Sequence, residues 1–142
     1  MRLELTRRYS FNAAHRLHSP FLSDEENRRV YGKCNNPYGH GHNYVAEVTV
    51  TGPLDPATGM IAHLTELDQF VQREVIEPMD HSNLNMDLPA FRERVPTTEN
   101  LCMEIFNRLR QFPGARLVRV RLEETGRNSF EYAGDSEGSN AR

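Results

Sequence analysis

The sequence has few of the features that mark several common functional classes. It contains only two cysteines, one lysine and no apolar run near the roughly 18 residues that span a membrane. Two cysteines could form one disulfide, but a chain of this size does not need one and nothing marks it as secreted, so we expect reduced thiols and a cytoplasmic protein. The formal net charge of -3 gives no basic excess for nucleic acid. We expect one domain, residues 1–133, followed by a disordered tail, residues 134–142.

Hydrophobic periodicity predicts an α+β fold. Four segments alternate apolar and polar side chains and are expected to be strands: residues 3–15, 40–51, 117–124 and 129–132. The alternation that begins at Leu3 is not the pattern of a signal peptide. Apolar residues at helical spacing predict one helix over 64–76, ended by Pro78, and a second helix beginning at Thr97. The order predicts a four-stranded, mostly antiparallel sheet with two helices on one face, and its bare edges favour oligomerisation.

Two long polar segments separate these elements. Residues 17–39 and 78–96 have no clear periodicity and are expected to be loops, which at this length are more often functional than ordinary connections. Cys102 falls among the core positions of the second helix and is expected to be buried.

The densest group of reactive side chains is the stretch from Cys34 to His42. In a strand His40 and His42 point to the same side, and the preceding strand ends at His15. Three imidazoles with one open position are a catalytic zinc arrangement, whereas a structural site would require more cysteine. Cys34 is a possible third ligand or a base beside the metal. Next to a metal and the Lys33 cation, the pKa of its thiol is expected to fall.

Two acidic motifs leave alternatives open. Asp80-His81 is either incidental surface polarity or a carboxylate that orients an imidazole for proton transfer. Period two places Glu124 on the same side of its strand as Val118, Val120 and Leu122, where a carboxylate needs a partner. Such a carboxylate can bind the guanidine-like edge of an amino-pyrimidine ring through two hydrogen bonds.

Six segments of the chain together resemble the 6-pyruvoyltetrahydropterin synthase family, from about Tyr9 to Tyr132. They are FNAAHRLHSPFLSDEEN, YGKCNNPYGHGHNY, LDPATGM, PMDHSNLNMD, PTTEN and ETGRN. The resemblance implies a T-fold, trimers that each close a β-barrel, and a homohexamer of two stacked trimers with active sites between subunits. It also implies zinc on His15, His40 and His42, Cys34 as the general base, Asp80 and His81 as a proton relay, and Glu124 as the pterin anchor, assisted by Thr98 and Glu99.

The reaction implied by the resemblance converts 7,8-dihydroneopterin triphosphate to 6-pyruvoyl-tetrahydropterin, with loss of triphosphate. The related 6-carboxytetrahydropterin synthases of queuosine biosynthesis use the same substrate but release acetaldehyde, and their cysteine usually lies closer to the HGH motif. Here five residues separate Cys34 from His40, which, with the SPFLSDEEN insertion, favours the pyruvoyl type. At position 63 this chain has a histidine, whereas animal-type sequences of the family more usually have an asparagine. The non-enzymatic alternative is a T-fold binding module that has lost catalysis or a metal-sequestering protein, and the intact Cys34, Asp80 and His81 argue against it.

Overall fold

The computed structural model describes residues 2–135, which form a five-stranded sheet in the order β3-β1-β2-β4-β5. The strands are β1 (Glu4–His15), β2 (His40–Thr51), β3 (Ser82–Asn83), β4 (Arg116–Thr125) and β5 (Asn128–Tyr132). All pairings are antiparallel except the short parallel contact of β3 with β1. The predicted count of four strands is therefore wrong, because a two-residue strand is too short for its periodicity to be recognised. Most of the predicted disordered tail lies outside the described residues.

Helices α2 (Leu64–Val71) and α5 (Thr98–Leu109) pack on one face of the sheet, as the periodicity predicts. Thr97 caps α5, and its hydroxyl accepts a hydrogen bond from the Asn100 backbone at 3.2 Å. The helical path that begins with α2 does not stop before Pro78 as predicted. It continues through a π-turn (Gln72–Ile76) into the short helix α3 (Glu77–Met79), which contains Pro78.

Both segments predicted as loops contain regular structure, which corrects that prediction. Residues 17–39 include helix α1 (Asp24–Tyr31) and a 3₁₀ turn (Gly32–Asn35), and residues 78–96 include β3, helix α4 (Leu84–Asp87) and a second 3₁₀ turn (Pro89–Phe91). The α1 sequence is too polar for an apolar stripe to identify it. Its readable signal is the Ser-x-x-Glu capping box, in which the side chains of Ser23 and Glu26 each accept a backbone hydrogen bond from the other residue.

The core lies between the sheet and the helices, and a β-bulge changes one predicted position. The register between β2 and β4 shifts at Thr49/Val50, so Leu117 turns inward instead of Val118. A second irregularity lies between Glu123 and Thr125. The fully buried core residues include Ala13, Tyr44, Ala46, Val50, Val71, Val75, Leu84, Leu101, Ile105, Val120 and Leu122. Within residues 2–135, no helix has both the length and the apolar character needed to cross a bilayer.

Candidate active site

Strands β1 and β2 bring three histidines together at one end of the sheet. Their antiparallel register places His15 opposite His40 and Ala13 opposite His42. The ligand atoms of the three imidazoles lie within 4.8 Å of one another. The turn into β2 requires Gly39, whose φ is +76°, because a Cβ at this position would approach the His15 carbonyl oxygen to 3.0 Å. The strand spacing thus brings these residues together as predicted.

The chemistry of the three imidazoles fits a metal ion. His15 is fully buried, and its Nδ1 donates to the Pro96 carbonyl at 2.7 Å, which leaves Nε2 with a lone pair for coordination. Burial, with the neighbouring imidazoles, lowers the pKa of His15 to about 4, and burial also lowers the pKa of His40, so both favour the neutral form that binds metal. His40 Nδ1 and His42 Nε2 are buried without a hydrogen-bond partner within the described chain. Buried polar atoms of this kind need a ligand to offset the cost of burial.

Glu124 lies on the same side of the sheet as the histidines. Its Oε2 is 3.6 Å from His42 Nε2 and accepts a 2.8 Å hydrogen bond from the Thr98 hydroxyl, while Oε1 accepts a 3.1 Å bond from Asn128. Burial raises the pKa of the Glu124 carboxyl, but these donors and the imidazoles outweigh burial and hold it below its ordinary value. The group is therefore a fixed carboxylate. Glu99 lies next to Thr98 in the first turn of α5, with an exposed side chain.

Cys34 lies in the 3₁₀ turn after α1, partly buried and outside the group of metal-ligand atoms. Its carbonyl accepts a 2.9 Å hydrogen bond from the Leu17 backbone, which connects this turn to the end of β1. Burial, followed by the charge of Glu124, raises the pKa of the Cys34 thiol. The lowered pKa expected for this thiol depends on a bound metal as well as on Lys33, so it stays a prediction.

Asp80 and His81 form an oriented pair at the β1–β3 edge. Asp80 Oδ2 lies 3.0 Å from His81 Nδ1, and Oδ1 accepts a 2.8 Å hydrogen bond from the Asn12 backbone. That backbone bond, chiefly, and the bond to His81 lower the pKa of the Asp80 carboxyl. The His81 side chain is 82% exposed, and no hydrogen bond or ion pair among residues 2–135 connects the pair to Cys34 or the three histidines. Among the described residues, these side chains therefore form two groups that no hydrogen bond or ion pair joins.

Several supporting residues were not predicted from the sequence. Pro96 holds His15 from 81 residues away in the chain, so no local pattern could have indicated it. Asn128 holds Glu124 from four residues away, across the turn between β4 and β5, where the alternation of side chains alone does not indicate a contact. Asn27 and Asn35 could have been suspected from the polar, turn-rich segment in which they are buried. His63 occupies the N-cap position of α2, but its side chain makes no capping hydrogen bond.

The sheet, its covering helices and the convergent imidazoles define a T-fold protein with a candidate catalytic metal site. The chain belongs to the 6-pyruvoyl tetrahydropterin synthase family, because the model of the family described as "6-pyruvoyl tetrahydropterin synthase" matches residues 4–135. The family match covers both groups of ordered polar residues described above.

Curated relatives and solved structures agree with this family. The chain is 51% identical over 132 residues to the 6-pyruvoyl tetrahydrobiopterin synthase of Poecilia reticulata, covering 92% of this chain and 90% of the relative. It is 48% identical over 133 residues to that of Homo sapiens, covering 93% and 92%. The structure of Caenorhabditis elegans 6-pyruvoyl tetrahydropterin synthase superposes with a TM-score of 0.90 at 42% identity, covering 95% and 97% of the two chains. The 6-carboxy-5,6,7,8-tetrahydropterin synthase of Haemophilus influenzae is more distant, at 28% identity over 149 residues, covering 91% and 97%.

Proposed function

We propose that this protein converts 7,8-dihydroneopterin triphosphate to 6-pyruvoyl-tetrahydropterin with elimination of triphosphate, and that it uses zinc held by His15, His40 and His42. The observation that carries the proposal is the convergence of three imidazoles with buried, unpartnered nitrogens in a chain about half identical to animal synthases named for that product. When bound, zinc supplies Lewis acidity that polarises a substrate hydroxyl and acidifies the neighbouring C–H bond.

The residues of the chain have distinct roles in this proposal. The Glu124 carboxylate, held by Thr98 and Asn128, accepts hydrogen bonds from the guanidine-like edge of the pterin, and Glu99 helps to hold the ring. Cys34 removes a proton from the substrate side chain. Because burial and Glu124 raise the pKa of its thiol, Cys34 depends on the positive charge of the metal to become a thiolate.

Asp80 and His81 are proposed to relay protons to the substrate side chain across a subunit boundary. The family match and the open edges of the sheet support an assembly in which another copy completes the site. We propose a homohexamer of two trimers, each trimer closing a β-barrel through the sheet edges. The free thiols of Cys34 and Cys102 support a cytoplasmic location.

Metal analysis after zinc loading tests the ligand assignment. The unmodified protein is expected to retain about one zinc per chain. His42→Ala removes one imidazole ligand and is expected to lose most of this zinc, whereas His63→Ala, at an exposed site with no side-chain capping bond, retains it. Equal zinc content in the two variants would exclude His42 as a ligand.

A triphosphate-release assay tests the catalytic assignment. Cys34→Ala is expected to abolish release while zinc and substrate remain bound, since the thiol lies outside the group of metal-ligand atoms. Turnover of this variant near the unmodified rate would show that another group is the base. A zinc-loaded unmodified protein that releases no triphosphate would contradict the proposed activity.

A further inference from the structure

A basic cleft adjoins the turn that carries Cys34. It has a volume of about 370 Å³, and its charged lining residues are Arg16, Arg28 and Lys33. None of its lining residues is acidic. A concave surface lined by one sign of charge concentrates ligands of the opposite sign. The cleft is therefore suited to a polyanion.

No ion pair within the described part of the chain neutralises the charges of this cleft. Eight arginines elsewhere in the described chain pair with acidic side chains, for example Arg94 and Arg108 with Glu104. Within residues 2–135, none of the three cations that line the cleft has an acidic side chain within ion-pair distance. This contrast is notable in a chain with 17 basic and 20 acidic residues.

Arg16 is held between the metal site and the cleft. Its backbone N–H donates to Asn85 Oδ1 at 2.8 Å and its carbonyl accepts from Asn85 Nδ2 at 2.9 Å. Its side-chain Nε donates to the Asn35 carbonyl at 3.0 Å, one residue beyond Cys34. This bond fixes the guanidinium while its terminal nitrogens remain suited to two phosphate oxygens.

We infer that this cleft binds the triphosphate chain of the substrate, with Arg16 on the phosphate nearest the pterin side chain and Arg28 and Lys33 on the outer phosphates. The identification of the polyanion as the substrate's triphosphate rests on the proposed function. Arg16 directly follows His15 in the chain, and its guanidinium bonds the Asn35 carbonyl in the turn that carries Cys34, so the cleft adjoins the residues proposed to act on the substrate side chain.

A neighbouring cavity provides the strongest comparison. It has a volume of about 390 Å³ and also includes Arg16, together with Arg92, Arg94 and the acidic Glu93. Arg94 already pairs with Glu104 at 3.0 Å. This second cavity therefore has less unneutralised positive charge, and Arg92 tests whether the triphosphate binds there instead.

Calorimetric titration of the zinc-loaded full chain with sodium tripolyphosphate tests the inference without the pterin. Arg28→Gln and Lys33→Gln, both at exposed positions, are each expected to weaken the binding of tripolyphosphate roughly five- to tenfold, since each removes one charge-assisted contact. The matched control is Arg29→Gln, which removes an exposed arginine of the same helix outside the cleft and is expected to leave binding unchanged. An equal effect of Arg29→Gln, a larger effect of Arg92→Gln, or no binding of tripolyphosphate would overturn the inference.

Steady-state kinetics separate this inference from the proposed function. The Arg28→Gln/Lys33→Gln double variant is expected to raise the KM for the triphosphate substrate with little change in kcat, whereas Arg29→Gln has no effect. Normal turnover with an unchanged KM in the double variant would overturn the triphosphate subsite and leave the proposed reaction intact. Tripolyphosphate binding that depends on the cleft, in a protein with no pterin turnover, would contradict the proposed function and its identification of the polyanion, while the cleft would stand as a polyphosphate site.

Discussion

Asn27 holds the segment that carries Cys34, and its removal is expected to destabilise the protein measurably. The residue is fully buried, and its Oδ1 accepts a 2.7 Å hydrogen bond from the buried Ser19 backbone. Its Nδ2 donates to the carbonyls of Ser19, Leu22 and Ser23 at 3.0, 3.2 and 3.1 Å. One side chain thus connects helix α1 to the chain that leaves β1.

The magnitude follows from which groups lose their partners. Asn27→Ala leaves the buried Ser19 N–H without an acceptor, at a cost of about 1–3 kcal/mol. The Ser23 carbonyl keeps the backbone bond from Asn27 at 2.9 Å, so its loss is smaller. Together with the removed side-chain volume, we expect the free energy of unfolding to fall by about 2–3 kcal/mol.

Urea denaturation monitored by circular dichroism measures this change. The matched control is Asn107→Ala on α5, where an exposed asparagine accepts a single hydrogen bond from Arg110 at 3.1 Å. The control is expected to change the free energy of unfolding by less than about 0.5 kcal/mol. An equally small change for Asn27→Ala would refute the reasoning that its hydrogen bonds hold the segment.

Three further predictions concern the turn, the charges and the thiols. Gly39→Ala places a Cβ 3.0 Å from a backbone oxygen at a position with φ +76°. The free energy of unfolding is expected to fall more for this variant than for Gly59→Ala, because position 59 has φ +73° but no neighbouring atom within 4 Å of a Cβ. Equal losses in the two variants would contradict the steric argument. A hydrogen bond from Arg7 is the main cause that lowers the pKa of the Asp68 carboxyl, so the stabilising contribution of Asp68 is present above its unfolded pKa and is lost as pH falls through its folded pKa. Asp68→Asn should therefore flatten the dependence of thermal stability on pH below about pH 4. An unchanged slope in this variant would contradict the prediction. Cys102 is 1% exposed, and burial raises the pKa of its thiol to about 12. A chromogenic thiol reagent should therefore label one thiol in the native protein and two after unfolding. Labelling of two thiols in the native protein would contradict the burial of Cys102.

The extent to which the sequence predicts the fold depends on periodicity. Strand β2 was predicted over 40–51 and is observed from His40 to Thr51, because apolar residues recur at every second position from Tyr44 to Val50. The polar helix α1 has no such stripe, and β3 has only two residues, so neither was predicted. The inward turn of Leu117 depends on a bulge in the pairing with β2, which is a property of two strands and not of one.

The candidate site likewise has features that the local sequence predicts and features that arise only from the tertiary structure. The convergence of His40 and His42 follows from strand spacing, and the contribution of His15 follows from the end of the neighbouring strand. The Pro96 carbonyl that fixes the His15 tautomer is 81 residues distant in sequence and could not be predicted. The raised pKa of the Cys34 thiol likewise arises from tertiary burial and from the charge of Glu124, neither of which can be predicted from the local sequence.

Mass spectrometry of the pterin product tests the central claim most directly. The zinc-loaded protein is incubated with 7,8-dihydroneopterin triphosphate, and the pterin and the released small molecules are identified together. We predict 6-pyruvoyl-tetrahydropterin and triphosphate, with no acetaldehyde. A 6-carboxy-tetrahydropterin product accompanied by acetaldehyde, or unchanged substrate, would contradict the account.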